Sequence, residues 1–153
     1  MYTANRHKAP AMGWIAGGGN LLDPRLAVLS FFFFMWQVSH FFIHLLVFCK
    51  EYYEEAGFPS LTEVFTGAQL DRLTFQWIIA TAVSLQLVIF YGLLQSPLVH
   101  ISLIAVSLWL VLNGINFMRA HASGYAGVFK RTNYFMLTVM VFMFFDKLTR
   151  FLL

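Results

Sequence analysis

The sequence predicts an all-α integral membrane protein: a helical bundle of about four transmembrane helices, preceded by an interfacial or half-inserted segment. Three observations carry this. Only 11% of the 153 residues are charged and 59% are hydrophobic, whereas a soluble domain carries about 25% charge. The mean hydropathy is +0.70. Two long stretches, 26–49 and 73–118, contain no Asp, Glu, Lys or Arg. The length suggests one domain over 1–153.

A spanning helix needs about 20 mostly apolar residues, because each adds about 1.5 Å across a hydrocarbon core about 30 Å thick. The segment "APAMGWIAGGGNLL" is too short to cross, and Gly17, Gly18 and Gly19 make poor helix interior. The first span is 26–49, bounded by Arg25 and Lys50. The uncharged run 73–118 is long enough for two crossings. Pro97 divides it, because proline removes a helix donor and disfavours helix in the residue before it. Spans are therefore expected at 73–94 and 97–118. A last span, 132–152, ends in "DKLTRFLL", where Lys147 and Arg150 can reach headgroups.

Charge excludes some classes and leaves others open. A scattered net charge of +3 does not suggest nucleic acid, and the first twenty residues hold no secretory h-region. A single cysteine, Cys49, cannot form an internal disulfide or a cysteine metal cluster. The basic residues divide five against five: Arg6, Lys8, Arg25, Lys147 and Arg150 on one side, Lys50, Arg72, Arg119, Lys130 and Arg131 on the other. The positive-inside rule therefore gives no orientation.

Polar residues inside the first span raise the functional question. Gln37, His40 and His44 fall at i, i+3 and i+7, on one helical face beside Trp36 and Ser39. They could wall a ligand pocket, or they could hold helices together by hydrogen bonds. Both readings stand on periodicity alone. A bis-histidine haem would need His100 or His121 as a second ligand, and a zinc site lacks the Glu usually found between paired histidines. Glu51, Glu54 and Glu55 follow at the membrane surface and could hold Mg²⁺, or could line a solvated loop. Asp146 is expected to pair locally with Lys147 or Arg150, and Asn113 and Asn116 to join helices.

The run "FMWQVSHFFIHLLVFCKEYYEEAGFPSL" resembles the second half of the UbiA-type membrane prenyltransferases, haem O synthase (protoheme IX farnesyltransferase) above all. Trp36, Gln37, His40 and Phe41 match that family's Trp-Gln-Pro-Pro-His-Phe run. Tyr52, Ala56, Gly57 and Pro59 match its Asp-Tyr-x-x-Ala-Gly-x-Pro run, with Glu51 at the acidic position. Tyr2, Thr3 and Arg6, the "GWIAGGGNL" segment, and Ala126, Phe129 and Asp146 extend the likeness across nearly the whole chain.

The resemblance implies half of a UbiA-like fold, with 50–72 and 119–132 facing the cytoplasm of a bacterial inner membrane. It also implies roles. Glu51, Glu54 and Glu55 would hold Mg²⁺, and Arg6, Arg119, Lys130 or Arg131 would steady a prenyl diphosphate. Trp36, Gln37, His40 and His44 would line a pocket for a lipid, a quinone tail or a haem edge.

The departures are as informative. The chain starts near the family's midpoint, so the Asp-rich motif that binds Mg²⁺ and diphosphate is not in it, and Val38-Ser39 replaces the Pro-Pro pair. Farnesyl transfer ionises an allylic diphosphate, whose developing charge must be met by metal ions and cations in a dry pocket. One cluster of three glutamates supplies half of that. The expectation is a non-catalytic accessory subunit with no cofactor of its own, held among other membrane subunits and lipids in a respiratory complex. The alternative is a working prenyltransferase completed by a second chain or a homodimer.

Overall fold

The computed structural model describes residues 9–48, 64–120 and 124–152. Five helices carry them: α1 Ala9–Ala16, α2 Pro24–Phe48, α3 Gly67–Phe90, α4 Pro97–Ala120 and α5 Gly124–Leu152. The fold is all-helical, as the composition requires.

Local chemistry sets the helix ends. After α1 the Gly18 N–H reaches the Ile15 carbonyl and Gly18 turns at φ 79°, a left-handed conformation that glycine adopts at little cost. With 8 residues, α1 is about 12 Å long and cannot cross a bilayer. Asp23 then starts α2 by accepting from the Arg25 N–H at 2.9 Å, and Pro24 occupies the first helical position, where its missing N–H costs nothing. At the head of α3, Gln69 Oε1 accepts from the Thr66 N–H at 2.8 Å.

Three boundaries differ from expectation by more than two residues, and the largest difference is at α5, which begins at Gly124 rather than 132. α3 begins at Gly67, six residues before the predicted 73, and so takes in Asp71 and Arg72. Helix 3 can hold Asp71, only 6% exposed, because the Tyr125 hydroxyl donates to its carboxylate at 2.8 Å. The helix stops at Phe90 rather than 94, and Gly92 turns the chain at φ 66°. Pro97 does open the next helix.

Four helices form a ring. α2 packs on α3 and α5, α4 packs on the same two, and α1 lies on α2. Neighbours run antiparallel, as the cross-links show: Thr81 to the Met35 carbonyl, Gln86 to Ser107, and His40 to Asn133. Phe32, Ile43, Leu85, Leu103, Phe135 and Val139 fill the centre and are fully buried. Gly114 lets α4 approach α3, because a Cβ there would lie 2.9 Å from Phe75 Cδ2.

The ring has two ends. The turn end holds α1, the start of α2, residues 91–96 and the close of α5. The far end holds the close of α2, the start of α3, the close of α4 and the start of α5. Helices α2, α3 and α4 are long and apolar enough to cross a membrane. α5 has the length, at 29 residues, but Lys130, Arg131, Asp146 and Lys147 dilute its apolar character. Three span-capable helices are thus present among the described residues, where the sequence suggested about four.

Asp146 is a correction. It does not pair locally: buried to 1% exposure, it accepts from the Ser96 N–H at 2.9 Å and the Gln95 N–H at 3.2 Å. The carboxylate of the last helix therefore ties down the α3–α4 turn. Asn113 is another: its side-chain amide donates to the Trp109 carbonyl of its own helix at 2.7 Å. Asn116 is exposed.

Candidate functional site

The polar face of α2 turns towards α5. His40 Nδ1 lies 2.9 Å from Asn133 Oδ1, and the hydrogen bond needs the tautomer or charge state that puts a proton on Nδ1. Its ring stacks at 5.1 Å on Trp36 and at 4.9 Å on Phe129. His44 sits 6.2 Å from His40, 4.9 Å from Phe48 and 5.9 Å from Phe129. Phe129 is thus wedged among rings from three successive turns of α2. Gln37 is half-buried on the same helix. The structure therefore brings Trp36, His40 and His44 together, in contact with a neighbouring helix.

Two buried polar atoms nearby, Trp36 Nε1 and Ser39 Oγ, have no hydrogen-bond partner among the described residues. The Met35 carbonyl, four residues before Ser39, lies 3.3 Å from Thr81 Oγ1, whose single proton has the nearer Trp77 carbonyl at 2.9 Å. Leaving a buried polar group unpaired costs about 1–3 kcal/mol.

The charged candidates collect at the far end. Arg119 and Lys130 are exposed and Arg131 is half-buried. The chain leaves this end at Phe48 and returns to it at Val64. Glu51, Glu54, Glu55 and Arg6 lie outside the described residues, so their placement is not part of this geometry. Here too is the Asp71–Tyr125 pair, at the start of α3 and of α5. Burial first, then the hydrogen bond to Asp71 and the charge of that carboxylate, push the Tyr125 phenol above its usual range. Tyr125 therefore stays a proton donor.

Metals and haem can be weighed against these positions. Among the described residues no three His, Cys, Asp or Glu side chains gather as a metal site. Glu51, Glu54 and Glu55, the Mg²⁺ ligands that the resemblance implies, lie outside the described residues. The haem pairing with His100 fails: His100 lies at the turn end, against the Leu94 carbonyl at 3.1 Å, whereas His40 and His44 lie in the half nearer the far end. His121 lies outside the described residues.

Sequence reasoning missed Asn133, Asp71 and Tyr125, and named Phe129 only as a match to the family's ending, not as a partner of the histidines. Asn133 stands one residue inside the predicted last span, and comes level with His40 because α5 begins at Gly124, eight residues before the predicted 132.

Apolar helices of spanning length, closed into a ring with buried polar cross-links, define a polytopic helical membrane protein. Comparison with known proteins narrows the class. The chain is 31% identical over 144 residues to the protoheme IX farnesyltransferase of Oleidesulfovibrio alaskensis, a match covering 91% of this chain and 47% of that protein. It is 31% identical over 86 residues to the enzyme of the same name from Nitratidesulfovibrio vulgaris, covering 56% of this chain and 30% of that one. For Geobacter sulfurreducens the figures are 34% over 88 residues, 56% and 31%. No family model and no solved structure matches. The chain is thus similar to proteins named protoheme IX farnesyltransferase, and spans about half the length, or less, of the relatives it matches.

Proposed function

We propose that this chain serves as a structural subunit of a larger membrane assembly, built on a prenyltransferase scaffold, and does not transfer farnesyl groups by itself. The observation that supports this most is the use made of the α2 polar face. His40 spends its Nδ1 on Asn133, and Phe129 packs against the His40, His44 and Phe48 rings. That is how an interhelical seam is built. A prenyl pocket would keep those groups free for a ligand. Large apolar side chains on the outer surface, such as Phe41, Phe90, Leu98 and Phe144, offer a surface to lipid or to neighbouring subunits.

A second reading has its own support. The relatives are named farnesyltransferases, and Arg119, Lys130 and Arg131 sit at the end where the segment bearing Glu51, Glu54 and Glu55 is attached. In that reading a second chain or a second copy supplies the remaining metal ligands. The three glutamates would hold Mg²⁺, which neutralises the leaving diphosphate when bound, and the basic residues would orient that diphosphate. The loops 50–72 and 119–132 would then face the cytoplasm of a bacterial inner membrane.

Purification from native membranes in mild detergent, followed by native mass and a visible spectrum, separates the two. A subunit emerges in a large assembly of fixed stoichiometry, coloured if that assembly is a haem-containing respiratory one. Isolation alone or as a colourless dimer that transfers farnesyl overturns the structural reading.

A further inference from the structure

At the turn end, opposite the charged candidates, a cleft of about 450 Å³ opens between α1, the start of α2, the α3–α4 turn and the close of α5. This lies within the roughly 300–1,000 Å³ of small-molecule sites. Its floor is apolar: Leu29, Leu93, Leu94, Met143 and Phe144. Arg25 and Lys147 also line it, and both are exposed. We propose that this cleft binds one anionic glycerophospholipid, its phosphate held between Arg25 and Lys147 and the start of an acyl chain laid along Leu29, Met143 and Phe144.

Topology puts the two cations together. Arg25 is in the first turn of α2 and Lys147 is near the end of α5, and these helices run antiparallel in contact. Both therefore lie at one level, where a span-capable helix begins and headgroups are found. The carboxylates of this end are engaged by backbone: Asp23 accepts from the Arg25 N–H, and Asp146 from the Gln95 and Ser96 N–H groups. Among the described residues neither Arg25 nor Lys147 has a side-chain ion pair or hydrogen bond, which leaves both charges for a ligand. The cleft also gives α1 a use. Too short to span, it lies on α2 and contributes Gly13 and Trp14 to the wall, and tryptophan is enriched at headgroup depth.

An amphiphile fits this pairing of charge and apolar floor better than a free anion, which would leave the floor unused. A zwitterionic lipid would bring its own cation against Arg25 and Lys147.

The test uses the purified full-length chain in detergent, with native mass spectrometry counting retained lipid. The probes are phosphatidylglycerol, phosphatidylcholine of the same acyl chains, and soluble glycerol 3-phosphate. Each interfacial cation should be worth about fivefold in affinity for anionic lipid. Phosphatidylglycerol should be retained over phosphatidylcholine, R25Q and K147Q should each weaken it about fivefold, and the double variant should abolish the preference. Thermal unfolding of the variants, both at exposed positions, checks that the fold persists. Equal retention of the two lipids, or an undiminished preference in the double variant, overturns the proposal. So does displacement by glycerol 3-phosphate, which would make the cleft a free-anion site.

Discussion

The two ends of the ring use their acidic residues differently. At the turn end, Asp146 is buried in the protein and its oxygens accept from two backbone N–H groups. At the far end, Asp71 accepts from a side chain, the Tyr125 hydroxyl. A carboxylate on backbone donors fixes a turn, because those donors cannot rotate away. A carboxylate on a side-chain donor joins two helices but leaves the chain connections around it free to vary. The sequence follows this division. The 91–96 connection is short and closed by Pro97, whereas the link between α2 and α3 is long and carries four glutamates. In this account the turn end holds the fold, and the far end carries Arg119, Lys130 and Arg131.

The largest effect should come from breaking the turn end. Asp146→Leu removes the acceptor for two buried N–H groups and should destabilise the bundle by about 3 kcal/mol. Asp146→Asn keeps one oxygen and should recover part of that, as read by thermal unfolding in detergent. If the two variants unfold alike, the carboxylate does not work through the turn.

Gly114→Ala tests the α3–α4 contact between the two ends. Its Cβ would lie 2.9 Å from Phe75 Cδ2, so the aromatic ring must move. Overpacking of this kind costs about 1–3 kcal/mol, and unfolding temperature again reports it.

At the far end the losses should be smaller. Tyr125→Phe deletes one hydrogen bond to a buried carboxylate and should cost about 1.5 kcal/mol. The sign of its pH dependence follows from the raised phenol. Below the unfolded tyrosine value of about 10 the contribution is fully present. Above it the unfolded chain ionises first, so stability falls as pH rises towards the folded value. Stability of the parent chain should therefore drop more steeply above about pH 10 than that of Tyr125→Phe, as followed by alkaline unfolding.

The smallest effect is the seam itself. A double-mutant cycle on His40→Phe and Asn133→Ala should return a coupling of about 0.6–1 kcal/mol, the usual size of an interhelical hydrogen bond in a membrane protein. A coupling indistinguishable from zero would return the α2 polar face to the pocket reading.

How much of this the sequence shows depends on the range of the interaction. α2 is legible because charge is missing over 26–49, and α4 because Pro97 punctuates an apolar run. The start of α3 is not, because Asp71 and Arg72 look like loop charges until Tyr125, 54 residues away, arrives beside the carboxylate. Asp146 misleads for the same reason: Lys147 and Arg150 are its neighbours in sequence, yet its partners lie 50 residues back at the turn. For the site, i, i+3, i+7 spacing places Gln37, His40 and His44 on one face. Spacing cannot say whether that face meets a ligand or Phe129. Span topology puts Arg25 and Lys147 on one side of the membrane, but only the packing of α2 on α5 brings them to one cleft.

The most direct measurement is farnesyl transfer by the purified full-length chain in liposomes, supplied with farnesyl diphosphate, protoheme and Mg²⁺. It is run beside the E51Q/E54Q/E55Q variant. The account predicts no product above the variant's background from the chain alone. Product formed by the chain alone and lost in the triple variant would contradict it, and would make this half-length relative a farnesyltransferase in its own right.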